Sequence, residues 1–118
     1  MTKPVPLFPG CYYHVYNRGV DGCALFREER NYPYFLTLYT RMMGPCVETY
    51  AYCLMGNHFH LLLRVREEVE QHPPDFVSRR FATFFGSYTK AFNKAYERTG
   101  PLFERPFRRK QVTSEAYL

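Results

Sequence analysis

The stretch GNHFHLLLRV, residues 56–65, gives a turn pair followed by an alternating run. On a strand, successive side chains point to opposite faces. Phe59, Leu61, Leu63 and Val65 then make one apolar side, suited to a core. His58, His60, Leu62 and Arg64 make the other. The run before the turn, VETYAYCLM (47–55), is also rich in β-formers, so the two should pair as a hairpin about Gly56-Asn57. The histidines should lie on the less covered face of the resulting sheet.

The flanking segments complete a pattern. Residues 1–9 hold three prolines and read as an extended lead-in. CYYHVYNRG (11–19) reads as a strand that stops at Gly19. From Asn31 to Met43, the apolar residues Phe35, Leu38, Tyr39 and Met42 recur at helical spacing. Pro33 suits the first turn of that helix, and Gly44-Pro45 stops it. A polar connection (66–74) leads to a long helix, with Asp75 as its expected N-cap and its end near Arg98. Gly100-Pro101 closes it. PFRRKQVT (106–113) is the expected last strand, and SEAYL reads as the start of another helix. The order strand, helix, strand, strand, helix, strand predicts an α+β, ferredoxin-like fold, an antiparallel sheet with two helices on one face. The length of 118 residues suits one domain over 1–118.

Composition narrows the partners. The formal charge is +5 and aromatic residues reach 19%, a pairing that points first to nucleic acid. The four cysteines form no C-x-x-C pair, which argues against a zinc knuckle. No apolar run approaches the roughly 18 residues of a membrane helix, and no secretory signal is visible in MTKPVPLFPG. A cytoplasmic protein with free thiols and no membrane partner is therefore expected.

The charge is local. Arg79, Arg80, Lys90, Lys94, Arg98, Arg105, Arg108, Arg109 and Lys110 face only Glu97 and Glu104, so residues 79–110 carry +7 and the remainder −2. At helical spacing the first five of these cations share one arc of about 100°. Val77, Phe81, Phe84, Tyr88, Ala91, Phe92 and Ala95 share another. One stripe is expected to pack on the sheet and the other to meet a phosphate backbone.

His58 and His60 stand about 7 Å apart along a strand and could converge on one ion. Two hydrogen-bonded structural histidines are the alternative. Spacing alone leaves the metal open, although imidazole favours zinc, copper, iron or nickel.

Taken together, YYHVYNRG (12–19), LFREERNYPYFL (25–36), AYCLMGNHFHLLLRV (51–65) and SYTKAFNKAYERTGPLFERPFRRK (87–110) resemble the HUH-type tyrosine transposases, in the branch of the REP-associated tyrosine transposases. His58-Phe59-His60 matches the His-hydrophobic-His motif. The resemblance implies a domain that nicks and rejoins single-stranded, hairpin-bearing DNA through a 5′-phosphotyrosine link. It implies that His58 and His60 hold a divalent cation, Mg2+ or Mn2+, that polarises the scissile phosphate. Relatives share active sites across a dimer or act as monomers, so a homodimer is one expectation. The family's nucleophilic tyrosine lies on a helix after the last strand, in a stretch such as RYIHLNP, which does not occur before Leu118. Tyr117 is the candidate within the chain, although it stands about two turns early. The nucleophile helix is expected beyond residue 118. Other functions open at this point are a non-catalytic nucleic-acid-binding module, a truncated copy that binds without cutting, and a metal-dependent hydrolase that uses water.

Overall fold

The computed structural model describes residues 4–113. Six main elements follow the predicted order: β1 (Tyr12–Arg18), α1 (Asn31–Met43), β2 (Val47–Met55), β3 (His58–Val65), α2 (Phe76–Ala95) and β4 (Arg108–Val112). All neighbouring strands are antiparallel, in the order β2-β3-β1-β4. This is the α+β, ferredoxin-like arrangement.

The covered face shows why the alternation in β3 matters. Phe59, Leu61, Leu63 and Val65 are buried, and so are Tyr13 and Val15 of β1. Helix α1 brings Phe35, whose ring lies 5.3 Å from Phe59, 5.1 Å from Phe84 and 5.2 Å from Tyr88. Such aromatic pairs each add about 0.5–1.5 kcal/mol beyond the area they bury. Two buried hydroxyls are satisfied: Tyr88 donates to the Leu25 carbonyl at 2.6 Å, and Tyr39 pairs with Thr49 at 2.6 Å.

Three local expectations need correction. First, α2 ends at Ala95 rather than near Arg98. Glu97 takes a left-handed φ of 50°, and the Arg98 guanidinium bonds Asn93 Oδ1 at 2.8 Å and the Pro101 carbonyl at 2.9 Å. The chain thus turns back before the last cation of the predicted helical stripe. Second, Phe85 is buried, whereas Ala91 is half-buried and Ala95 exposed. The two alanines line a cavity shared with Arg30, Asn31 and Tyr34. Third, Asp75 sits at the N-cap position but makes no capping hydrogen bond. Its carboxylate pairs instead with Arg79 at 3.5 Å.

Strand β2 carries a bulge. Its register passes from Thr49↔Leu63 to Ala51↔Leu62, so Tyr50 is an extra residue. The Tyr50 ring lies 5.8 Å from Tyr12 of β1.

Candidate functional site

Strand register lays out the open face as four rows. From β4 to β2 they run Val112–Tyr12–Arg64–Glu48, then Lys110–His14–Leu62–Ala51, then Arg108–Tyr16–His60–Cys53. The fourth joins Arg18, His58 and Met55. His58 and His60 are therefore on the face away from the helices, as alternation predicts. Their rings lie 5.4 Å apart and nearly perpendicular.

Both imidazoles are tied at Nδ1. The His58 Nδ1–H donates to Asn57 Oδ1 at 2.9 Å, because an amide oxygen can only accept. That leaves the Nε2 lone pair of His58 for a ligand. His60 Nδ1 lies 2.8 Å from His14 Nε2. Partial burial lowers the pKa of His60, helped by repulsion from His58. Partial burial also lowers that of His14, helped by His60 and Lys110. Both shifts favour the neutral ring at neutral pH, the form a metal ion needs.

The turn before His58 is anchored by two segments distant in sequence. Gly19 donates its N–H to the Asn57 carbonyl at 3.0 Å, and Leu25 and Phe26 donate to the Gly56 carbonyl at 2.8 and 3.1 Å. Val20 N–H reaches the Leu102 carbonyl at 2.9 Å. Asn17, the buried polar side chain of β1, bonds the Glu104 carbonyl at 3.0 Å and the Arg18 N–H at 2.9 Å. A Cβ on Gly19 would stand 2.1 Å from the Cys23 carbonyl oxygen, so no larger residue fits without moving this loop. The NRG and GPLF segments thus act together to hold the turn that presents Asn57 and His58.

The nine predicted cations divide among several places. Arg108 and Lys110 are exposed on the open face, in the His60 and His14 rows. Arg105 is exposed just before β4. Lys90 and Lys94 are exposed on α2, Arg79 is exposed beside Asp75, and Arg80 bonds the Met42 carbonyl at 2.9 Å. Arg98 lies beyond the helix, as described. Arg109 pairs with Val15 on the covered side, and its guanidinium lies 3.8 Å from the Phe107 ring centroid. Burial lowers its pKa to about 10. It also bonds Ser78 Oγ and the Val5 carbonyl. The packed face of α2 meets β3 through Phe85 and Phe59, so its cationic face and the histidine pair lie on opposite sides of the sheet.

Two open-face residues were not among the predicted site residues. His14 and Tyr16 alternate in the β1 segment, and their rings lie 4.5 Å apart. Tyr16 also stands 5.7 Å from the His60 ring. Their period-two spacing in YYHVY was a visible signal, but only register places them beside His60. Tyr117 lies outside the described residues. Tyr88 is buried with its pKa raised by desolvation, and Tyr96 bonds Glu28 and Asn31, so both serve the helical layer.

His58 and His60 fit a divalent ion as two ligands: both are on the open face, and each has its Nδ1 in a hydrogen bond. Among the described residues, no group of three or more His, Cys, Asp or Glu side chains is gathered to hold one. Among the described residues, no helix is long and apolar enough to cross a membrane.

No protein-family model and no curated protein matches the chain. Among solved structures, the fold matches that of a REP-associated tyrosine transposase bound to a REP hairpin, with a TM-score of 0.65 and 14% identity. The match covers 99% of this chain and 65% of the other, so this chain spans somewhat less than two thirds of that protein. The likeness establishes a shared fold.

Proposed function

We propose that this chain is a DNA-processing domain of the transposase type, which binds single-stranded or hairpin DNA across the open face of its sheet. The observation that carries this is the His58–His60 pair, with both Nδ1 atoms engaged, beside Tyr16, Arg108 and Lys110. The fold shared with a hairpin-bound transposase supports it. His58 and His60 would hold a divalent cation, Mg2+ or Mn2+, which would polarise a phosphoryl oxygen. Arg108 and Lys110 attract the phosphate backbone, and Tyr16 offers a ring against which a base can stack. Partial burial favours the neutral His60 imidazole, the form that can ligate a cation. The tyrosine that attacks is assigned to none of the described residues.

The test uses hairpin DNA with a single-stranded extension, in the presence of Mn2+. A covalent protein–DNA adduct on a denaturing gel is the result expected of a chain that includes its nucleophile. Binding without an adduct favours a second reading, a nucleic-acid-binding module. That reading has its own support, since exposed Arg108 and Lys110 beside the Tyr16 ring can hold a nucleic acid without a cation or a nucleophile. No binding even at low salt would sink both.

A further inference from the structure

Among the described residues, His14 is the one histidine on the open face that the proposed reaction does not use. It lies across from Leu62 on β3, one row from His60, with Lys110 beside it on β4. The 2.8 Å approach of its Nε2 to His60 Nδ1 needs one proton between two nitrogens. If His14 supplied it, His60 Nε2 would carry hydrogen as well and could ligate nothing. If His60 supplies it, His60 Nε2 is left bare. His58 provides the pattern, since Asn57 Oδ1 can only accept and so fixes the proton on His58 Nδ1.

We infer that His14 and Asn57 are a matched pair of positioning residues. Each accepts the Nδ1–H of one imidazole, and together they present His60 Nε2 and His58 Nε2 to one divalent cation. The inference rests on the reading of His58 and His60 as cation ligands and adds what orients them. An outer partner of this kind fixes both the tautomer and the ring angle. The two partners come from different places, a turn residue and a residue of the neighbouring strand. The site is therefore assembled by the β1–β3 pairing and not by the hairpin alone.

The test is tautomer-sensitive 15N NMR on the whole, metal-free chain, followed by titration with Zn2+ as a diamagnetic probe. His58 and His60 should both be protonated at Nδ1 and bare at Nε2. Zn2+ should then move both Nε2 resonances. His14→Phe should weaken that binding about 10- to 100-fold, and His14→Gln, whose carbonyl can accept the same proton, should restore most of it. A proton on His60 Nε2, or unchanged Zn2+ affinity in a folded His14→Phe variant, overturns the inference. Correct tautomers in a wild-type chain whose His58 and His60 ignore Zn2+ would overturn the cation reading beneath it.

Discussion

The two sides of β3 come from one eight-residue strand, yet they follow different rules. On the covered side, Phe59, Leu61, Leu63 and Val65 are held by shape and exclusion of water, with many neighbours and no required direction. On the open side, His58 and His60 are half-buried and each is held by one directional bond. The first side decides whether the chain folds. The second carries the proposed function, and its geometry depends on proton positions rather than volume.

The largest expected difference between them is in stability. Phe59→Ala should cost about 3–5 kcal/mol, because the ring is fully buried among Phe35, Phe85 and Phe103. His60→Ala should cost less than about 1 kcal/mol. Urea denaturation measures both, and equal losses would erase the distinction. Next comes activity. In a version of the protein that cleaves, His58→Ala with His60→Ala should lower metal-dependent cleavage about 100-fold or more, as loss of a charge-stabilising group does, while hairpin binding persists. Unchanged cleavage would remove the metal role.

A smaller effect separates the two sets of cations. Reversing Arg108 and Lys110 should flatten the salt dependence of single-strand binding by a slope of about 1–1.5. Reversing Lys90 and Lys94, on the far side of the sheet, should leave that slope alone. The opposite outcome would route the DNA over the helices. The smallest effect is in pH. His14 and His60 have folded pKa values below the ordinary histidine value, so the unfolded chain binds protons more readily. Their contribution is full above about pH 6.5 and is lost as pH falls from there through the folded values. The metal-free chain should melt lower at pH 5 than at pH 8. His14→Phe should narrow that gap, and a gap of undiminished width would contradict the shift.

The fold was largely legible because its signals are local. Alternation in β3, helical spacing in α1 and the Gly44-Pro45 stop are read within a dozen residues. The end of α2 was misplaced because amphipathic spacing continues to Arg98, while the left-handed Glu97 and the bonds of Arg98 belong to the following loop. The candidate site was legible only in half. His58 and His60 share a face by alternation alone. His14 needs a register between strands more than forty residues apart, and sequence pattern does not give that register. Arg109 was grouped with its charged neighbours by charge alone, although alternation within its own strand separates it from them. Strand alternation sends Arg108 and Lys110 one way and Arg109 the other, onto Phe107.

The bulge in β2 has a further consequence at the rim of the molecule. β2 is an edge strand, and a straight nine-residue edge is a template on which another chain could add. Tyr50 interrupts it, dividing the regular ladder into residues 47–49 and 51–55. A bulge also bends the strand and increases its local twist. The residue that sets a ring against Tyr12 therefore also makes this edge a poor seed for intermolecular sheet growth, a form of protection against aggregation written into one extra residue.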